Sequence, residues 1–140
     1  EEINLPVRMV TKEEAEKAEA LAVEQPSRAA WHRRIIDRFH KQKDQPFYPV
    51  KIHVMRLGDV ALATNPFEYF LDFGLRIKTN SEAVMTLIVQ LAEGEGTYVP
   101  TAKAEAGGGY SAIVQSNKVG SEGGQVLVEK TVEQINKLWK

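Results

Sequence analysis

Glu68 is one of two side chains in this sequence whose setting suggests chemistry. It is the third residue after Asn65 in the segment Asn-Pro-Phe-Glu, and this is the spacing of a helix capping box. A carboxylate in the first turn of a helix, at the end of a strand, is also well placed to bind a metal or to act as an acid. Spacing alone favours the capping role and leaves the chemical role open.

Tyr110 is the second such side chain, and it follows three consecutive glycines at positions 107 to 109. The run lacks the lysine of a P-loop and the strand-to-helix placement of a dinucleotide fingerprint. Three glycines do allow backbone conformations closed to other residues and let a chain pass close to another backbone or a ligand. We therefore expect Tyr110 to be held at a fixed and crowded position.

The remaining candidates for chemistry offer no catalytic partner to these two residues. His32, His40 and His53 are not spaced three or four residues apart, so no helical metal pair exists, and each is interpreted as a surface or structural histidine. The absence of cysteine excludes disulfides, thiol nucleophiles and thiolate metal sites. We therefore expect no complete active site within these 140 residues.

Composition predicts one compact domain without a strongly charged partner. An apolar content of 43% is enough for one continuous core. The 18 basic and 19 acidic residues give a net charge of −1, so no overall field directs the chain to nucleic acid or to an anionic membrane. No apolar run reaches the about 20 residues that span a bilayer, and the N-terminus does not resemble a signal peptide.

Residues 1–48 are predicted to form a bent helical arm. Thr11 and Glu14 have the capping-box spacing, and a run rich in alanine, glutamate and lysine follows as far as Glu24. Pro26 interrupts this helix, and Ser27 is a suitable cap for a second one over about residues 28–43.

One face of that second helix is basic. It could bind an anion, although a solvated helix face is the plainer interpretation. Nucleic-acid binding by this face is the least favoured alternative. The basic residues are Arg28, Arg33, Arg34, Arg38, Lys41 and Lys43.

Residues 49–140 are predicted to form a small mixed sheet with flanking helices. Residues 50–63 have the alternation of a β-hairpin with a turn at Gly58-Asp59. A helix is expected to begin at Asn65, and the apolar run 84–91 is typical of a central strand covered on both faces. The last helix should dock on the sheet through a stripe that contains Val128, Val132, Ile135 and Trp139. The fold class is therefore α+β, or α/β with a small mixed sheet.

The stretch from Pro49 to about Gly124 resembles the C-terminal part of the catalytic domain of neutral/alkaline (non-lysosomal) ceramidases and their bacterial relatives. The resemblance covers a little over half of the chain. It is carried by PVKIHVMRLGDVALATNPFEYFLDFGLRIK, then VMTLIVQLAEGEGTYVPTAKA, then GGGY. In that family a Pro-Gly-Glu motif and a later tyrosine supply two zinc ligands, and two histidines and a serine nucleophile come from earlier in the domain.

The resemblance implies that Glu68 and Tyr110 are zinc ligands in an intact protein that hydrolyses a lipid-like amide such as an N-acylsphingosine. It also implies an extracellular or periplasmic location. The start at Glu1 without a methionine suggests a mature protein or an excised piece. The missing part of the catalytic domain should then lie upstream, and we expect the isolated chain to bind no zinc and to be inactive.

Two departures from the family pattern concern the surface that would face the substrate. Phe67 stands where the motif has glycine, and residues 93–96 stand where an Asn-Gly loop would be. The alternative to a hydrolase fragment is a non-catalytic interaction module that keeps the fold. In that alternative Glu68 only caps its helix and Tyr110 only packs.

Overall fold

The computed structural model describes all 140 residues and confirms the α+β class, with small mixed sheets flanked by helices. The strands are β1 (Glu2–Pro6), β2 (Phe47–Lys51), β3 (Val54–Leu57), β4 (Val60–Thr64), β5 (Glu68–Tyr69), β6 (Met85–Val89) and β7 (Tyr98–Val99). The α-helices are α1 (Lys12–Glu24), α2 (Ala29–Lys41), α3 (Leu71–Asn80), α4 (Ala102–Gly107) and α5 (Ser121–Lys137).

Helices α1 and α2 form a hairpin that packs around a second, small core, to which Val114 also contributes. The predicted capping box is confirmed, because the Thr11 hydroxyl accepts a hydrogen bond from Glu14 N and the Glu14 carboxylate accepts one from Thr11 N. The predicted Ser27 cap is wrong. Ser27 lies inside a 3-10 turn over Pro26–Arg28, and α2 begins after Arg28 without a side-chain cap.

Strand β1 is a feature that the sequence interpretation did not contain. It pairs antiparallel with β2, with Ile3 opposite Val50, so the helical hairpin is inserted between two paired strands. Ile3 and Leu5 are buried in the main core together with residues of β2, β4 and α5. The N-terminal segment is therefore part of the principal packing unit.

The predicted hairpin between residues 50 and 63 is confirmed in its second part only. Strands β3 and β4 pair antiparallel around the Gly58-Asp59 turn, and Gly58 has the positive φ of +61° that this tight turn requires. The first strand of the predicted hairpin is in fact two strands, β2 and β3. Residues up to Lys51 belong to β2, which pairs with β1.

The helix predicted to begin at Asn65 begins at Leu71 instead, after Phe70. The Asn65 side chain accepts a hydrogen bond from the nearby Phe67 N, at 3.0 Å, which holds a turn rather than a helical cap. Phe67 is fully buried, and the next two residues form β5. Pairing with a distant strand has overridden the local helix signal.

Strand β6 is not the central, doubly covered strand that its composition predicts. The sheet order is β3-β4-β6, so β4 is central and β6, parallel to it, lies at an edge. One face packs on α3 and α5, and the other is open to solvent. The open positions in register are apolar except for one threonine: Met55, Leu57, Val60, Leu62, Thr64, Met85, Leu87 and Val89. We call this surface the open sheet face.

Helix α5 docks on the core as predicted, through buried residues that include Leu127, Val128 and Ile135. Its first turn contains Gly124. A Cβ on Gly124 would lie 2.6 Å from the Phe73 ring and 2.8 Å from Val99, so only glycine allows this approach. The Tyr69 hydroxyl donates a 2.6 Å hydrogen bond to the Gly124 carbonyl at the same contact.

Candidate functional site

Glu68 is positioned by the short parallel pair of β5 and β7, in which it lies opposite Tyr98. The neighbouring pair, Tyr69 and Val99, points into the main core, so Glu68 and Tyr98 share the outward face. The Gln90 side chain fixes β5 at the end of β6, because it accepts a hydrogen bond from Tyr69 N at 2.7 Å and donates one to Tyr69 O at 3.0 Å. Glu68 therefore projects from a strand and does not cap α3.

The loop between β6 and β7 packs directly on the segment that precedes Glu68. Gly96 N donates a 2.8 Å hydrogen bond to Pro66 O. A Cβ on Gly96 would lie only 1.9 Å from that same oxygen, so no other residue fits this position. The glycine-rich sequence around residue 96 thus serves to align β7 with β5.

Tyr98 is coupled to both of the residues that the sequence singled out. Hydrogen bonding with the Glu68 carboxylate, and its negative charge, raise the pKa of the Tyr98 hydroxyl. The rings of Tyr98 and Tyr110 meet edge to face, with centroids 6.1 Å apart and an interplanar angle of 74°. Glu68 and Tyr110 therefore converge on one tyrosine at one exposed surface.

Tyr110 is not crowded, and this part of the sequence interpretation is wrong. Its side chain is 67% exposed, and a Cβ on any of the three preceding glycines would meet no other atom within 4 Å. Only Gly108 needs its conformational freedom, because its φ of +70° closes helix α4. The glycines therefore end a helix and give Tyr110 an open setting.

Asn117 holds the two tyrosine-bearing segments together from behind. It is 1% exposed, and its amide nitrogen donates to Tyr98 O at 3.1 Å and to Ser111 O at 2.9 Å. Its side-chain oxygen accepts a hydrogen bond from Arg8. Sequence reasoning missed both Asn117 and Tyr98, although Tyr98 belongs to the Tyr-Val-Pro-Thr segment of the resemblance.

Arg38 belongs to the basic helix face that could bind an anion, and it has a structural role in the same region. Its guanidinium donates hydrogen bonds to the backbone carbonyls of Arg8, Val114 and Asn117. Burial, followed by the charge of Arg8, lowers the pKa of Arg38 to about 10. A guanidinium committed to three carbonyls has little capacity left for an external anion.

The surface that carries Glu68 and Tyr98 and the open sheet face border the same main core. Ala61 and Ala63 of β4 point into the same core as Tyr69 and Val99. Since neighbouring residues of a strand point to opposite faces, Leu62 and Glu68 both point away from that core. The uncovered apolar sheet and the carboxylate–tyrosine cluster are therefore both outer surfaces of this core.

The donors at this surface match part of a metal shell. Glu68 and Tyr110 offer two oxygen ligands, whereas a catalytic zinc takes three protein ligands and keeps one open position. No group of three or more histidine, cysteine, aspartate or glutamate side chains in the chain could hold a metal ion. His53 pairs with Glu93 at the surface, and this hydrogen bond lowers the pKa of Glu93.

Comparisons with family models, with curated proteins and with solved structures found no match for this chain. No helix has the length and apolar character needed to cross a membrane.

Proposed function

We propose that this chain is the C-terminal portion of a zinc-dependent amide hydrolase of the neutral ceramidase kind, in which Glu68 and Tyr110 are two of the zinc ligands. The observation that carries the proposal is the convergence of Glu68 and Tyr110 on Tyr98 at one exposed surface. This surface lies past the carboxyl ends of the parallel strands β4 and β6, the edge at which open α/β sheets bind ligands.

The open sheet face supports the same proposal independently of the metal. Sheets of parallel strands are usually covered on both faces, and β4 and β6 form a parallel pair within this mixed sheet. In this chain Met85 is 56% exposed and Leu87 is 45% exposed. A further layer of polypeptide over this face would be the part of the domain that supplies the imidazole ligands and the serine nucleophile.

Each side chain of the cluster has a defined role in this proposal. Glu68 would bring a negative charge to the metal, and Tyr110, being exposed, is free to turn its oxygen toward it. Tyr98, which lies opposite Glu68 in the β5–β7 pair, would orient the Glu68 carboxylate, as groups behind metal ligands commonly do. The zinc, when bound, would polarise the carbonyl of a lipid-like amide substrate and activate water or the serine.

The test is the zinc content of the intact parent protein. We expect Glu68→Ala and Tyr110→Phe to lose zinc, because each removes an oxygen ligand, whereas Glu95→Ala, in the exposed loop before β7, retains it. Equal zinc content in the parent and the Glu68→Ala variant would refute the ligand assignment. The isolated chain should bind zinc no more tightly than a generic surface site, since two ligands are too few.

A non-catalytic interaction module is the second candidate, and the open sheet face favours it as well, because large exposed apolar surfaces mark binding sites. The cap that this alternative assigned to Glu68 is wrong, since Glu68 lies in β5. Sequencing the gene upstream of Glu1 separates the two candidates. Two histidines and a Gly-Asp-x-Ser-like segment there would favour the enzyme, and their absence would favour the module.

A further inference from the structure

A cavity of about 370 Å³ lies between the α1–α2 hairpin and the segment from residue 105 to residue 115. Its volume is in the range of small-molecule sites, which begins at roughly 300 Å³. The helical hairpin supplies one wall, and the chain on either side of Tyr110 supplies the other. Of the proposed zinc ligands, Tyr110 lines this cavity and Glu68 does not.

His32 is the unusual residue of the wall. It is 2% exposed, and neither of its ring nitrogens has a hydrogen-bond partner. Its ring meets the Trp31 ring edge to face at 5.3 Å, a contact that satisfies neither nitrogen. Buried polar atoms are almost always paired, because an unpaired one loses its hydration without compensation. A bound group that pairs with His32 would remove this cost.

The unengaged charge around the cavity is positive. Glu105 accepts hydrogen bonds from Ser121 N and Oγ at 2.8 and 3.0 Å, and Glu14 is bound by Arg8 and by the helix cap. Lys17 and Arg28 line the cavity without any carboxylate within ion-pair distance. The site therefore has two free cations and favours an anionic ligand.

The wall also has an apolar and aromatic part, beside the polar side chains of Gln25 and Gln115. The residues of this part are Leu21, Trp31, Tyr110, Ile113 and Val114. The Arg28 guanidinium lies 6.0 Å from the centroid of the Trp31 ring, so cation and aromatic surface are adjacent. Such a wall suits a ligand that has an apolar body attached to its charged head.

We propose that this cavity binds a small organic anion, with a carboxylate or phosphate head and an apolar body. Lys17 and Arg28 neutralise the head, His32 donates a hydrogen bond to the ligand, and Trp31 packs against the body. The proposal is independent of the zinc proposal, because none of these four residues belongs to the Glu68–Tyr98–Tyr110 cluster.

The test is a nitrogen-15 NMR titration of the isolated chain with phenyl phosphate, hexanoate and inorganic phosphate. The Trp31 indole should shift and saturate with an organic anion, and the Trp139 indole, which packs on Arg56 instead, should not. Phenyl phosphate and hexanoate distinguish a phosphate head from a carboxylate, and inorganic phosphate should bind more weakly because it has no apolar body. Absence of a saturable Trp31 shift with both organic anions up to about 10 mM, where even weak sites fill, overturns the proposal.

Charge variants test the two cations. Arg28→Gln and Lys17→Gln should each weaken binding of the better organic anion by about tenfold, the loss expected for one charge-assisted hydrogen bond. Arg33→Gln is the matched control, since Arg33 is exposed on α2, which follows Arg28, and does not line the cavity. Equal weakening by Arg33→Gln and Arg28→Gln would mean general attraction to a basic surface and would overturn the proposal.

The hydrogen bond from His32 to the ligand is tested in two ways, with a His32→Leu variant and by NMR of the unsubstituted chain. His32→Leu should keep or raise the stability of the free chain, since no hydrogen bond is lost, and should abolish binding. Wild-type affinity in His32→Leu overturns the proposal. In the unsubstituted chain the His32 ring nitrogen resonances should move at saturation with the better organic anion, and unchanged resonances overturn it equally.

Discussion

Glu68 and Tyr98 are paired across the parallel strands β5 and β7, and the Glu68 carboxylate raises the pKa of the Tyr98 hydroxyl. This pairing connects two segments thirty residues apart in the sequence. It gives Glu68 a partner that its sequence neighbours do not supply. It also brings Tyr110, in contact with the Tyr98 ring, to the same surface.

The coupling predicts that Glu68→Gln lowers the pKa of Tyr98 toward the ordinary tyrosine value of about 10, because the charge that disfavours the phenolate is removed. Carbon-13 NMR of the tyrosine ring carbons during a pH titration measures this change. Glu95→Gln is the control and should leave Tyr98 unaffected. A Tyr98 pKa that is the same with and without Glu68 would show that the two side chains are not coupled in solution.

The turn at Asn65 predicts unequal effects of two truncations. Asn65→Ala should lower the free energy of unfolding by about 1–3 kcal/mol, because it leaves the buried Phe67 N–H without its acceptor. Glu68→Ala should change it by no more than about 0.5 kcal/mol, since Glu68 caps no helix. Urea denaturation measures both. Similar losses of unfolding free energy for the two variants would instead support the capping box between Asn65 and Glu68 that the sequence predicted.

Asn117 is predicted to be a principal support of the site. Asn117→Ala should lower the free energy of unfolding by about 1–3 kcal/mol, because it leaves the partly buried backbone oxygens of Tyr98 and Ser111 without a donor. Asn136→Ala is the matched control. Asn136 also bonds to two backbone groups, but those bonds are exposed, so water can replace them. If Asn117→Ala loses no more unfolding free energy than Asn136→Ala, Asn117 is not a principal support of the site.

The open sheet face predicts that charge is tolerated on one side of the sheet only. Leu57→Lys with Leu87→Lys should leave the unfolding free energy of the isolated chain nearly unchanged and reduce its association at high concentration, because both side chains are largely exposed. Ala63→Lys, on the covered face, should prevent folding. Sedimentation velocity and urea denaturation test these outcomes. A severe loss of stability in the double variant would mean that this face is already covered within the chain.

The ion pairs of Glu133 with Lys130 and Lys137 should make the stability of the chain depend on pH. Hydrogen bonds from Lys137 and Lys130 lower the pKa of Glu133 from 4.5 to about 2. A carboxyl group whose pKa is lowered on folding stabilises the protein above its unfolded pKa, and this contribution is lost as the pH falls toward the folded pKa. Glu133→Gln should therefore lose less thermal stability than the wild type between about pH 5 and pH 2. Glu129→Gln, which removes a carboxylate without an ion pair, should behave as the wild type.

Salt provides the check on that pH effect. The Glu133 ion pairs are exposed, so about 1 M sodium chloride should screen them and remove the difference between Glu133→Gln and the wild type. A difference that persists in salt would have a cause other than these ion pairs.

The sequence predicted those elements whose signals are local. The Thr11–Glu14 capping box forms as its spacing indicates, because both hydrogen bonds join residues within one helical turn. The β3–β4 hairpin and the buried stripe of α5 follow in the same way from a turn glycine and from helical periodicity. The α+β class follows from the sum of such elements.

The same kind of local signal was wrong at Asn65 to Glu68, where the spacing also matched a capping box. There Phe67 enters the core and Glu68 pairs with Tyr98, so long-range contacts outweigh a cap that contributes about 1 kcal/mol. The triple glycine before Tyr110 likewise indicated crowding where the structure has open space. The sequence identified Glu68 and Tyr110 as candidates, and their convergence is a property of the tertiary structure.

The apolar run in β6 shows most directly where sequence reasoning stops. Its composition by itself indicates a strand with apolar residues on both faces, and such a strand forms. Whether both faces are covered depends on which elements pack against the sheet, and only one face has such elements within this chain. Composition sets the affinity of a surface for an apolar partner, whereas the fold decides which surface is left without one.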